Sequence, residues 1–407
     1  MQDKVVYCGI ALAAGTRHEL PTESGMAHFC EHMSFKGTPR LSSVQISRRI
    51  ESVGAEINAF TGKEETVYYV ACLQSHLRRA LPLLQDIVFH STYPQTEIDK
   101  EVEVVLDEIE SYKDSPADLI YDDFEGLLYA RHPLGRNILG EPSRLRQYTT
   151  ANFLRYVHRT YRPDQALLFV MGSPVKPHAE GEWQVAGEGD FWYRWCAPRP
   201  QSSILAPEAA AVASVPPEPS MANPSTVTTG AFHQAHVIMG ARGFGMGDPR
   251  HLGLCLLSNL LGGPAMSSRL NLSLRERRGL CYTVESSVAA YTDTSTWTVY
   301  FGCDKGDVGR CQRLVRSELS HLTDKPLSPR ALSAAKRQFF GQMAITHEQR
   351  ESVALGIAKR LLHTGHAMQL HEMMEQIDAF TPFQLQEIAL QVMNPDRLTT
   401  LTYLPLD

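Results

Sequence analysis

Three side chains in the stretch Gly25-Met26-Ala27-His28-Phe29-Cys30-Glu31-His32-Met33 have the types and spacing to do chemistry. His28 and His32 are four residues apart, and Glu31 stands immediately before the second histidine. On a helix of about 3.6 residues per turn, positions four apart share one face, one turn above the other. Two imidazoles stacked in this way can grip one metal ion from the same side, and the neighbouring carboxylate can hold a water against it. The chemistry to expect is hydrolysis by a metal-activated water, with Glu31 as the base. The order H-x-x-E-H is the inverzincin pattern, which makes zinc the expected metal and a peptide bond the expected target.

Such a site needs a helix over the motif and a framework to hold it. Residues 5–14 are small and β-branched and read as a strand ended by Gly15; a polar loop, 16–25, leads into the motif helix. Phe35-Lys36-Gly37-Thr38-Pro39 stops that helix, and a second helix runs from Ser42 to about Val53. Stretches 56–61 and 66–73 read as antiparallel strands paired around Gly62-Lys63. Helices are expected near 75–90, 95–113, 116–130 and 149–161, and a buried strand at 166–171. The texture then changes: 173–233 is rich in Pro, Ala, Ser and Glu, as in Pro207-Glu208-Ala209-Ala210-Ala211 and Val215-Pro216-Pro217-Glu218-Pro219, and reads as an interdomain linker with little core of its own, in which Trp192-Tyr193-Arg194-Trp195 is the stretch able to dock elsewhere. Beyond it the order of elements repeats, with a strand at 236–241, helices near 249–261 and 266–277, strands at 281–290 and 294–303, helices to about 393 and a closing strand at 397–403. Two similar domains are therefore expected, 1–172 and 234–407, and the second carries no ligand set on its corresponding helix.

Composition narrows the class. The 407 residues are 43% apolar and 21% charged, enough for globular domains with sizeable cores. A net charge of −6 without a basic cluster argues against nucleic acid as a partner. The eight cysteines show no C-x-x-C pair and several sit in apolar runs, which favours a reducing compartment. No segment is long and apolar enough for a membrane span, and no secretory leader precedes the first strand, so a cytoplasmic location is expected, or a periplasmic one if the natural N-terminus is longer.

The helix at 95–113 carries Glu101 and Glu108, seven residues and two turns apart on one face. With these, the sequence resembles the M16 zinc metallopeptidases, the group of pitrilysin, insulin-degrading enzyme and the mitochondrial processing peptidase β-subunit, and in particular its short two-domain bacterial type. The resemblance spans most of 8–170 and 234–404, and the run from Gly25 through Phe35-Lys36-Gly37-Thr38 is close to the family's own. In that family a glutamate about 76 residues after the second histidine completes the ligand set, with another seven residues before it. The resemblance thus implies His28, His32 and Glu108 as ligands of one Zn2+ per chain, Glu101 as a carboxylate orienting a histidine, and Glu31 as general base. It also implies that Asn58-Ala59-Phe60 lies on an edge strand that pairs the substrate backbone, where an ordinary edge strand would have the same pattern. Arg275 and Tyr282, again seven apart, are similar to a pair that reaches the bound peptide and steadies the reacting carbonyl; the same residues suit a basic helix end capped by Gly279.

The fold implied is α+β: two similar domains, each a mostly antiparallel sheet packed by helices, together half of a clam-shell chamber. Family members usually carry one more strand before residues 5–14, so either the first sheet is one strand short or the natural start is missing. The simplest assembly is a homodimer with Arg275 and Tyr282 supplied in trans, a heterodimer with a metal-free partner being the alternative. The expected function is a zinc-dependent endopeptidase acting on unfolded peptides. Its main competitor is a non-catalytic binding or assembly subunit of the same fold, which typically loses one or more of the ligands kept here. A zinc hydrolase of another substrate fits the Asn58 strand and the Arg275–Tyr282 pair less well.

Overall fold

The structure, a computed structural model, describes residues 4–172, 182–186, 190–197 and 225–406. The stretches 207–211 and 215–219 lie outside the described residues. Along the chain come β1 (Val5–Leu12), α1 (Met26–Ser34), α2 (Ser43–Glu51), β2 (Glu56–Thr61), β3 (Thr66–Leu73), α3 (Leu77–Phe89) and α4 (Gln95–Lys113). There follow α5 (Pro116–Leu128), α6 (Pro142–Leu145), α7 (Thr150–Thr160), β4 (Ala166–Met171), β5 (Gln184–Ala186), β6 (Phe191–Trp195) and β7 (Ser225–Gly230). The remainder is β8 (Ala235–Phe244), α8 (Arg250–Gly262), β9 (Cys281–Ala290), β10 (Thr294–Cys303), α9 (Val308–Thr323), α10 (Pro329–His347), α11 (Arg350–Thr364), α12 (Leu370–Ala379), α13 (Pro382–Val392) and β11 (Thr399–Pro405).

The chain forms two compact α+β units, each an open sheet covered by helices. The first comprises residues up to 110, 136–213 and 346–369. Its strands run in the order β2-β3-β1-β4-β6-β5, and neighbouring strands are antiparallel. The unbroken apolar runs of β1 and β4 follow from burial on both faces, since alternate residues of a strand point to opposite sides. Val6, Cys8, Ile10 and Leu12, with Leu168 and Val170, face a core closed by α1, α3, α4 and α7. Ala11, Leu167, Phe169 and Met171 face the other way, onto Ala354, Ala358, Leu361 and Leu362 of α11. The small residues at 354 and 358, one turn apart, bring that helix close to the sheet.

The second unit comprises residues 111–135, 214–345 and 370–407. Its order is β7-β11-β8-β10-β9, antiparallel except for the parallel pair β7–β11. Val237, Met239, Trp297, Val299 and Phe301 point into a core with α8, α9, α10 and α13. On the opposite face Ile238, Tyr300, Leu401 and Tyr403 pack on Ile120, Phe124 and Leu128 of α5.

The boundaries depart from the sequence reading of 1–172, 173–233 and 234–407. Each sheet is covered on one face by a helix from the other half of the chain, α11 in the first unit and α5 in the second. Residues 173–233 contribute β5 and β6 to the first sheet and β7 to the second. The aromatic run Phe191–Trp195 pairs along β4, so its side chains gain a surface that the surrounding Pro/Ala/Ser composition conceals. The helix expected near 266–277 is in part a π-helical segment, Asn271–Glu276. Among the described residues no helix is long and apolar enough to cross a membrane.

Candidate metal centre

The motif helix α1 starts where only glycine fits. Gly25 has φ 77°, in the left-handed region, and a Cβ there would come within 2.6 Å of the Leu139 carbonyl oxygen. Facing it, Gly140 has φ 80°, and a Cβ on it would lie 2.5 Å from the Gly25 Cα. The two glycines let the 139–140 backbone press against the start of α1. The first N–H groups of a helix have no partner in their own helix. Here the buried Glu19 carboxylate accepts from the backbone N–H of Ala27 at 2.9 Å and of Gly25 at 3.3 Å. Burial pushes that carboxyl up to about 8, against the opposing pull of the two backbone N–H groups and Arg136. Apolar side chains Met26, Ala27, Phe29, Cys30 and Met33 turn into the core and leave His28, Glu31 and His32 on the side facing α4 and β2.

His28, His32 and Glu108 converge: one ligand atom from each lies within 4.8 Å of the other two. Nε2 of His28 is 3.7 Å, and Nε2 of His32 3.6 Å, from the same Glu108 oxygen. Two ligand atoms on a tetrahedral zinc, each bonded at about 2.0–2.1 Å, are about 3.3–3.4 Å apart. The observed separations exceed that by only a few tenths of an ångström and are too long for hydrogen bonds. The donor set, two imidazole nitrogens and one carboxylate, also matches that of an open catalytic zinc site. The residues fit the ion.

The surroundings act in opposite directions on the two imidazoles, which must be neutral to bind a metal. Burial, helped by His32, pulls the His28 imidazole down to about 3, so it is neutral. His32 feels the same burial, but a hydrogen bond to Glu101 and the charges of Glu31, Glu108 and Glu101 outweigh it and raise the group. Its Nδ1 lies 3.0 Å from Glu101 Oε1, an arrangement that turns Nε2 toward Glu108. Glu101 Oε2 is 2.5 Å from Lys36 Nζ. Burial pushes Glu101 up, but the bonds from His32 and Lys36 prevail and hold it below the usual carboxylate range. His28 Nδ1, in contrast, has no hydrogen-bond partner among the described residues, so packing alone sets that ring. The Glu108 side chain is 43% exposed, leaving the cluster open to solvent on one side.

Glu31 sits beside this cluster. Burial raises its carboxyl, opposed by a hydrogen bond from Thr61 and by His32, and supported by Glu108. The Thr61 hydroxyl donates to Glu31 Oε2 at 2.7 Å. The sequence reading included Thr61 only as the end of a strand; its hydroxyl beside the acidic motif residue depends on how β2 packs on α1, which no local pattern reveals.

Asn58, Ala59 and Phe60 lie on β2, which is an edge strand of its sheet, as expected. The Asn58 side-chain oxygen accepts from the Ala59 N–H at 2.9 Å. Arg275 and Tyr282 belong to the second unit. Arg275 is on the π-helical segment, its Nε 3.7 Å from the Glu276 carboxylate. Gly279 follows with φ 61° and donates its N–H to the Arg275 carbonyl at 2.8 Å, so the helix-end reading holds there. Tyr282 is the second residue of β9 and is 86% exposed. A second acid–histidine cluster in the first unit, Glu64, Glu65 and His363, is an ion-pair network: Arg17 pairs with Glu64 at 2.7 Å and Lys359 with Glu65 at 2.7 Å. Those cations already neutralise its two carboxylates.

The family model Insulinase (Peptidase family M16) matches residues 1–142, and the model Peptidase M16 inactive domain matches residues 197–339. An uncharacterized zinc protease of Bacillus subtilis, YmxG, is 30% identical over 391 residues, covering 96% of this chain and 91% of the relative. One from Streptomyces coelicolor is 30% identical over 385 residues, covering 95% and 82%. In fold, the chain is similar to the crystal structure of a protease from Helicobacter pylori, with a TM-score of 0.83 at 20% identity, covering 98% of this chain and 94% of that one. A peptidase M16 inactive domain from Pseudomonas fluorescens gives 0.78 at 18% identity, covering 99% and 93%. With a ligand cluster in the half that matches the peptidase model, and the other half matching the model called inactive, the chain belongs to peptidase family M16, the insulinase family.

Proposed function

We propose that this protein is a zinc-dependent endopeptidase that hydrolyses unfolded peptides. The observation that carries the reading is the convergence of His28, His32 and Glu108 within 4.8 Å, beside Glu31. His28, His32 and Glu108 would hold the ion. The chemistry an ion held there would supply is acidification of a water and polarisation of the scissile carbonyl. Glu31 then takes the proton of the attacking water and passes it to the leaving amine. Glu101 keeps the His32 Nδ1–H occupied so that Nε2 stays available. The edge strand β2 offers its free backbone groups to an extended peptide, with affinity drawn from main-chain hydrogen bonds and hence little demand on sequence. Arg275 and Tyr282 steady the reacting carbonyl from the facing subunit of a homodimer, and enclosure between subunits restricts access to unfolded chains. The names of the curated relatives support zinc and proteolysis.

The test pairs elemental analysis with hydrolysis of a quenched, unstructured peptide, for wild type and Glu31→Gln. About one zinc per chain in both, with cleavage only in wild type, is the expected result. Zinc without cleavage in wild type at any peptide offered would turn the reading toward a binding or assembly subunit, and absence of zinc after reloading would refute the metal site.

A further inference from the structure

We infer that Thr61 is the positioning residue for the base Glu31 and ties the aim of that base to the strand on which the peptide docks; this rests on the peptidase reading above. Glu31 is half-buried on α1, and a glutamate side chain has rotamer freedom that a general base must lose to hold a lone pair at the attacking water. The Thr61 hydroxyl removes much of it by donating to Glu31 Oε2 at 2.7 Å, which leaves Oε1 as the free acceptor. The donor is itself well held. Thr61 is the last residue of β2, its backbone paired with Thr66 of β3, and its β-branched side chain has few rotamers.

Position along the strand makes this more than an anchoring contact. Asn58-Ala59-Phe60 precede Thr61 directly on β2, so the docking stretch and the anchor of the base lie within about 10 Å of one rigid strand. A peptide that pairs with the free edge of β2 adds a second ladder to that strand and fixes its far end, where Thr61 stands. A peptide that fails to pair leaves the end of β2, and with it the Glu31 carboxylate, less constrained. Discrimination between well-seated and poorly seated peptides would then appear in turnover as well as in affinity.

The experiment compares wild type, Thr61→Val, Thr61→Ser and the pair Glu31→Gln and Glu31→Gln/Thr61→Val. Valine keeps the branched shape and removes the hydroxyl; serine restores it. Thr61→Val is expected to lower kcat by roughly tenfold to hundredfold with KM within about twofold, and Thr61→Ser to recover to within about threefold of wild type. Zinc content and thermal unfolding are expected to match wild type, and the two inactive variants to bind a fluorescent peptide equally. Unchanged kcat in Thr61→Val, no recovery in Thr61→Ser, or a loss that appears in zinc content or peptide affinity would each overturn the inference. Wild type without zinc and cleavage would overturn the peptidase reading itself, a result separable from these.

Discussion

Removing the Glu101 carboxylate tests whether His32 is held for ligation as the geometry implies. The bond from His32 Nδ1 is 3.0 Å long and the Glu101 side chain is 11% exposed, so solvent screens it weakly. Loss of such a carboxylate partner of a ligating histidine typically costs ten- to hundredfold in metal affinity, about 1.4–2.7 kcal/mol. Glu101→Ala should fall at the upper end. It frees the imidazole to rotate, and it leaves the Lys36 ammonium, 2.5 Å from Glu101 in wild type, as an uncompensated positive charge near a dication. Glu101→Gln keeps an acceptor for Nδ1–H but turns an amide N–H toward Lys36 or loses that contact, so about tenfold is expected. Lys36→Met removes only the cation and should bind zinc at least as tightly as wild type. The assay is competition with a chromophoric chelator at constant pH. Wild-type affinity in Glu101→Ala, within about threefold, would refute the reasoning, as would an equal loss in Lys36→Met.

Two further outcomes concern stability. Gly25→Ala forces a side chain into a backbone at φ 77° and against the Leu139 carbonyl oxygen at 2.6 Å, so a loss of at least about 2 kcal/mol is expected in denaturant unfolding; a change under about 0.5 kcal/mol would show that the 139–140 backbone yields freely. Glu65 is held at about 2, because bonds from His363 and Lys359 and their charge outweigh the effect of burial. Its folded value lies below the unfolded one, so the stabilisation is present above pH about 4.5 and is lost as pH falls from there toward 2. Over that window wild type should lose on the order of 3 kcal/mol that Glu65→Gln does not, read from unfolding curves at a series of pH values; parallel pH dependence in the two proteins would contradict the pairing.

How much was legible from the residues depended on how local the cause was. His28, Glu31 and His32 were readable because helix periodicity alone puts them together, and β1 through β4 were readable from apolar runs and the turn at Gly62-Lys63. Glu101 and Glu108 stand among several acids on α4, and their selection needed the family's spacing, since contacts 69 and more residues apart leave no periodic trace. The Thr61 hydroxyl carried no signal, because a threonine at a strand end is ordinary until α1 is packed against it. The exchange of α5 and α11 was equally hidden: an amphipathic helix declares that it covers a surface but not which sheet supplies it. The strand β6 was masked by the Pro-rich segment around it.

The exchange of covering helices bears on synthesis. The first sheet is complete in sequence at Trp195, yet the helix that covers Ala11, Leu167, Phe169 and Met171 begins only at Arg350. At translation rates of about 5–20 residues per second, an apolar sheet face waits roughly 8–30 s on the ribosome for its cover. The sheet that carries the ligand cluster thus precedes its own cover in synthesis and cannot mature until the chain has been made through Thr364. That order delays assembly of the candidate metal centre, and it makes the nascent chain a natural client for chaperones that shield flat apolar surfaces.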